Sequence, residues 1–181
     1  MGEARSQATA ASGIEDFFVH SVLVYGDSMT WGIIPDTRKR FSFDERWPGV
    51  LENQLRDSGK NVRVIEDCLN GRRTVWEDPF KPGRNGRQGL AQRIEIHSPL
   101  SLVIVMLGTN DFQFAHPQNN AWSAAHGVAA LVNDIRNAPI EPGMPDRHRA
   151  VGALSEQRML ASANPFQARL FRLRPMDLAL P

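Results

Sequence analysis

Residues Leu102 to Leu107 read LVIVML, six apolar residues without a break. A strand with one wet face alternates apolar and polar residues, whereas a strand covered on both faces does not. The run therefore predicts an interior strand of a parallel sheet with helices on either side. It is far too short to span a bilayer. Other segments agree. Ser21 to Tyr25, SVLVY, is rich in β-branched residues, ends at Gly26 and reads as a first strand. Val62 to Ile65, VRVI, reads as a second. Between them, Arg46 to Ser58 carries Trp47, Val50, Leu51 and Leu55 at helical spacing, with Pro48 in the first turn and Gly59 as the stop. Gly89 to Ile96 predicts a short helix with Leu90 and Ile94 inside. Asn119 to Asn137 predicts a longer one, with Ala121, Ala125, Val128, Leu131, Val132 and Ile135 as its inner face. Strand–helix alternation of this kind predicts an α/β fold, a three-layer α/β/α flavodoxin-like parallel sheet.

The totals narrow the function classes. A chain of 181 residues with a formal net charge of +1 gives no electrostatic basis for binding nucleic acid or an anionic membrane. The single cysteine, Cys68, excludes an internal disulfide framework and fits a cytoplasmic protein. Residues 1–18 are small and polar and lack the apolar centre of a secretory signal, so they read as a flexible leader. Arg38-Lys39-Arg40 reads as solvated loop. Residues 19–145 form the domain proper.

From Asp146 to Pro181 the character changes. Arg, Ala, Leu and Pro supply 21 of these 36 residues, and Val151 is the one β-branched residue. No segment there reads as a buried strand. The sheet is therefore expected to be three-stranded and incomplete at its C-terminal side, with the free edge of LVIVML unpaired, an aggregation hazard. A frameshifted or truncated gene would produce such a tail, and so would a natural irregular extension. Resequencing the source DNA separates the two.

Each predicted strand ends in a chemically suggestive turn. The first runs into Tyr25-Gly26-Asp27-Ser28-Met29-Thr30-Trp31-Gly32, where Ser28 stands at the carboxyl end of a strand, the place where α/β sheets build their sites. A Ser or Asp that only caps a helix would look the same. The second runs into Leu69 to Thr74, LNGRRT, where Gly71 can present a bare backbone N–H or simply make a turn. The third runs into Leu107 to Asp111, LGTND, where Asn110 can offer an amide N–H to a developing negative charge or simply occupy a turn. In a parallel sheet the three ends lie side by side.

Gly26-Asp27-Ser28, Gly71 and Gly108-Thr109-Asn110-Asp111 resemble the first three sequence blocks of the GDSL, or SGNH, hydrolase family. GDSMTWG, DERWPGVL, IEDCLNGRRT, WEDP and VIVMLGTND resemble its branch of small bacterial arylesterases and acyltransferases, over roughly Val22 to Ile135. The resemblance implies serine-ester chemistry on a small-molecule ester. Ser28 would be the nucleophile, and Gly71 and Asn110 oxyanion donors. It implies no cofactor, no metal, and self-assembly into a homo-oligomer. The family's fourth block, Asp-x-x-His, is missing: the tail offers Asp146-Arg147-His148. His148 reads as a surface residue, His20 precedes the first strand, and His97, His116 and His126 belong to loops or helix. The expected activity is therefore impaired. The alternatives are a non-catalytic remnant, or a flavodoxin-like module holding a phosphate at a helix N-terminus. Trp31, Trp47, Trp76 and Phe80 are candidates for an acyl pocket, an oligomer contact or ordinary packing.

Overall fold

The computed structural model describes residues 19–113, 120–139 and 149–153. The elements follow in the order β1 His20–Gly26, α1 Ser28–Trp31, α2 Trp47–Asp57, β2 Val62–Cys68, α3 Leu90–His97, β3 Leu102–Met106, α4 Ala121–Arg136 and β4 Arg149–Ala153. The sheet has the order β2-β1-β3-β4 and every pair is parallel. The chain moves one way from β1 to β2, then jumps back across β1 to β3. Right-handed crossovers in opposite directions put their helices on opposite faces. Val22, Val24, Val62, Val64 and Leu102 accordingly pack with Trp47 and Leu55 of α2 on one face. Leu23, Tyr25, Val103 and Val105 pack with Leu90, Ile94, Leu131 and Ile135 of α3 and α4 on the other. This is the three-layer arrangement that the unbroken apolar runs imply.

The sheet differs from the sequence reading at its edge. Residues Arg149–Ala153 form a strand in register with β3, pairing Leu102 with Arg149 and Met106 with Ala153. The edge of LVIVML is thus covered. Parallel pairing is a backbone interaction, and a short RAVGA stretch needs no β-branched alternation to make it. The rest of the atypical tail, 154–181, lies outside the described residues.

Two local expectations also change. Val50 of α2 is 38% exposed, while Glu52, four residues after Pro48, is buried. The Glu52 carboxylate accepts the Val64 N–H at 2.6 Å and pairs with Arg56 at 3.0 Å, so a charged side chain occupies the inward position. Arg40 is not merely solvated: it donates to the Trp31 carbonyl at 2.7 Å and to Glu66 at 3.1 Å. Trp47 packs against the core, whereas Phe80 is 76% exposed. Among the described residues no helix is long and apolar enough to cross a membrane.

α4 reaches the sheet's carboxyl edge by a close approach. A Cβ at Gly127 would overlap the Thr74 hydroxyl. Gly127→Ala should therefore lower stability by ~1–3 kcal/mol through overpacking, even though alanine favours an open helix site by ~1 kcal/mol. Urea denaturation checks this, and an unchanged or higher midpoint contradicts the packing.

Candidate active site

β1 lies between β2 and β3, so its exit is flanked by theirs. Ser28 begins α1 directly beyond β1 and is half-buried. The preceding Asp27 caps the turn, its Oδ1 accepting the Met29 N–H at 3.0 Å. Gly32 closes it in the left-handed region at φ +80, donating its N–H to the Ser28 carbonyl at 3.0 Å. Among the described residues the Ser28 hydroxyl has no hydrogen-bond partner. A phosphate at this one-turn helix would meet the Asp27 carboxylate already on the backbone donor.

Gly71 sits in the turn after β2 at φ +81, where a side chain would be strained. That turn is tied to β1 by the Leu69 N–H on the Gly26 carbonyl at 3.1 Å. Asn110 is buried in the 3-10 turn Thr109–Phe112 that follows β3. Its Nδ2 donates to Asp27 Oδ2 and to the Arg72 carbonyl, both at 3.0 Å. Its Oδ1 accepts from Gln113 Nε2 at 2.5 Å. Two acceptors on one side fix which end of the amide is nitrogen. Both amide hydrogens are therefore taken in the free protein. Arg73 Nε donates back to the Asn110 carbonyl at 3.1 Å, and Thr74 Oγ1 donates to the Asp111 carboxylate at 2.8 Å. The turns carrying Ser28, Gly71 and Asn110 are thus joined, and the contacts run through their neighbours Asp27 and Arg72.

Asp27 entered the sequence reading only as a possible helix cap, which it is, and Arg72 was not singled out. The signal for Arg72 was charge at a strand exit, IEDCLNGRR, where acids and arginines must be paired if buried. Burial raises the Asp27 carboxyl to about 6; the Met29 N–H and the Arg72 charge oppose the rise, and the Asp111 charge adds to it. Burial likewise raises Asp111, against the hydrogen bonds from Thr74. Burial would also raise Asp67, but the hydrogen bonds and charges of Arg72 and Arg93 outweigh it and hold this carboxyl below its ordinary range. Burial, with Glu66 nearby, pushes the Cys68 thiol up to about 12, which keeps it protonated and unreactive.

No described histidine meets Ser28. His20 lies at the opposite end of β1, about 20 Å away along a seven-residue strand, and its Nδ1 contacts Ser101 Oγ at 3.1 Å. His97 ends α3, and His126 meets Trp122 edge-on with ring centroids 4.3 Å apart. His116 and His148 lie outside the described residues. Among the described residues no cluster of His, Cys, Asp and Glu is arranged to hold a metal ion.

The Asp27 value fixes a pH dependence. In the folded chain its pKa, about 6, lies above the ordinary 3.8. Below pH ~4 both folded and unfolded chains hold the proton and nothing is lost. Between pH ~4 and ~6 the unfolded chain ionises first, so native stability falls as pH rises; above that the loss is constant, on the order of 3 kcal/mol. Asp27→Asn removes this titration but also replaces one acceptor oxygen, a pH-independent cost. The stability of Asp27→Asn relative to the native chain should therefore climb by about 3 kcal/mol from pH 4 to pH 7 in denaturant titrations. A difference flat across that window contradicts a carboxyl raised by burial.

Comparison with known proteins finds the same fold. The crystal structure of a carbohydrate acetylesterase family member from Sinorhizobium meliloti is similar at 33% identity and a TM-score of 0.66, covering 75% of this chain and 62% of that one. The native M. smegmatis aryl esterase is similar at 35% identity and a TM-score of 0.65, covering 74% of this chain and 62% of its own. An arylesterase of Vibrio mimicus is 28% identical over 113 residues, 62% of this chain and 48% of that protein. The chain thus spans about half of this curated relative and about three-fifths of the two solved ones. The match to the model of the GDSL-like lipase/acylhydrolase family runs over residues 24–169, from β1 into the stretch beyond β4. With the strand exits, the joined turns and this match in agreement, the chain belongs to the GDSL-like lipase/acylhydrolase family.

Proposed function

We propose that the chain is a serine-dependent carboxylic ester hydrolase of short-chain or aryl acyl esters, with Ser28 as the nucleophile. The observation that carries this reading is the Asn110 amide, which joins the residue before Ser28 to the residue after Gly71 at one end of the sheet. In the reaction, Ser28 Oγ attacks the ester carbonyl carbon, and a base takes its proton. The carbonyl oxygen gains a negative charge, held by the Ser28 N–H, the Gly71 N–H and the Asn110 amide. The alcohol leaves with a proton, water attacks the acyl-serine, and the acid departs. A second alcohol in place of water would make the same site an acyltransferase.

Asn110 has a particular part in this scheme. Its two amide hydrogens serve Asp27 and the Arg72 carbonyl in the free protein. To serve the oxyanion, one must leave the neutral Arg72 carbonyl for a full negative charge. A charged acceptor binds a donor more strongly than a neutral one, so the exchange is favoured only as the charge develops. The names of the relatives, arylesterase and carbohydrate acetylesterase family member, support the substrate class. The sequence lacks the family's Asp-x-x-His block, so slow turnover is expected. An oxyanion hole and binding alone leave ~10³–10⁴-fold over water.

A fluorophosphonate probe, which requires an activated serine, tests the assignment. The native chain should label slowly and Ser28→Ala not at all. Asn110→Ala should lower the labelling rate by ~10²-fold or more, the usual loss for one oxyanion donor. Equal labelling of the native chain and Ser28→Ala would sink the assignment, and a native chain that never labels would make the protein a non-catalytic remnant.

A further inference from the structure

Just before its last residue, Cys68, β2 carries two adjacent acids, Glu66 and Asp67, and adjacent strand residues point to opposite faces of a sheet. Each acid gathers arginines on its own face, and both sets converge on α1. On the α2 side, Glu66 takes a two-pronged bond from Arg46, Nε at 2.9 Å and Nη2 at 2.6 Å, and a third bond from Arg40 at 3.1 Å. Arg40 then donates to the carbonyl of Trp31, the last residue of α1, at 2.7 Å. The Arg46 stem lies so close under Gly32 that a Cβ there would overlap it. On the α3 side, Asp67 takes Arg72 at 2.8 Å and Arg93 at 2.6 Å. Arg72 then donates to the carbonyl of Gly26, two residues before Ser28, at 3.2 Å, and its guanidinium lies 3.9 Å from the Tyr25 ring centroid.

The one-turn helix α1 cannot hold its own shape. Four residues form too few internal hydrogen bonds to offset the cost of helix nucleation. Its entry and its exit are instead each held by an arginine anchored on β2. Ion pairs this buried add little net stability, because desolvation offsets their attraction; what a forked, charge-assisted bond fixes is geometry.

We propose that Glu66 and Asp67 are positioning residues for Ser28, acting through Arg40 and Arg46 on the exit of its turn and through Arg72 on the entry. The inference rests on Ser28 being the nucleophile of the proposed reaction, but it concerns the turn's geometry and can be read without turnover. Glu52 supplies the control. It is a still more buried acid that accepts from a β2 N–H and pairs with two arginines, Arg56 and Arg63, and none of these partners is bonded to the Ser28 turn among the described residues.

The test compares Glu66→Gln, Asp67→Asn and Glu52→Gln in ¹⁵N-labelled full chain. The half-exposed Arg40→Gln is included in case a β2 variant fails to fold. Three readouts are taken: backbone N–H shifts of residues 28–32, fluorophosphonate labelling rate, and melting midpoint. Expected are moved shifts and a roughly tenfold or greater fall in labelling for Glu66→Gln, Asp67→Asn and Arg40→Gln, as misplacement of a reacting group costs. Glu52→Gln should lose stability while leaving shifts and labelling rate as they were. If the shifts move but even the native chain does not label, the positioning stands and the esterase reading fails. Shifts that stay put in Glu66→Gln, Asp67→Asn and Arg40→Gln, or that move equally in Glu52→Gln, overturn the proposal whatever the labelling.

Discussion

The side-chain amide of Asn110, donating at once to the Asp27 carboxylate and the Arg72 carbonyl, ties the exits of three parallel strands into one unit. Much of the surrounding chemistry follows from it. The amide is buried, so each of its hydrogens must find an acceptor. Asp27 supplies one only by being buried itself, and burial is what lifts its pKa to about 6. The Arg72 carbonyl supplies the other only because the chain turns sharply at Gly71, at a φ of +81 that few side chains tolerate. The glycine that the family resemblance marks as an oxyanion donor thus also has a purely conformational reason to be there.

Charges carry the same unit outward. Arg46, Glu52, Asp67, Arg72 and Arg73 are all buried, in a domain whose sheet is otherwise apolar. Replacing whole buried ion pairs by well-packed apolar groups is often neutral or stabilising, so stability alone does not account for them. Their common property is that each bonds the backbone or a charged group of another element. Arg46 donates to the Phe41 carbonyl, Arg72 to those of Gly26 and Asp67, and Arg73 to those of Asn110 and Glu77. Loop carbonyls at a sheet's carboxyl end have no ladder partner, and buried ones must be satisfied by something. Long forked side chains do this across distances that short turns cannot.

The sequence exposes some of these features and hides others for identifiable reasons. Strands and helices were legible because burial on one or two faces leaves a period of its own. LVIVML became the strand Leu102–Met106, and the Ala121 to Ile135 face became α4. The turns that carry Ser28, Gly71 and Asn110 were legible because glycine and short polar residues at strand exits are local signals. The last strand was hidden because Arg149–Ala153 pairs through its backbone and carries no hydrophobic period. The acids were hidden because partners of theirs are remote in the chain: Arg46 reaches Glu66 across 20 residues, Arg93 reaches Asp67 across 26, and Thr74 reaches Asp111 across 37. Glu52 was not among the residues read as the inner face of its helix, because only a three-dimensional neighbour, the Val64 N–H, explains an inward carboxylate.

The two halves of a serine hydrolase place different demands on a fold. Donors for an oxyanion can be backbone groups and amides at adjacent strand ends, and here one short stretch of sheet edge brings the candidates together. A proton acceptor for the serine is harder to find in the same place. Asp27 is the nearest acid, and a pKa of about 6 would suit a base working near neutrality. Its geometry does not: one oxygen accepts the Met29 N–H and the other the Asn110 amide, and both bonds hold the turn itself. Asp111 is likewise committed to Thr74. A carboxylate that took the Ser28 proton would weaken the bonds that position Ser28. In the proposed chemistry the base is therefore a group other than Asp27 and Asp111, meeting a Ser28 hydroxyl that has no hydrogen-bond partner among the described residues.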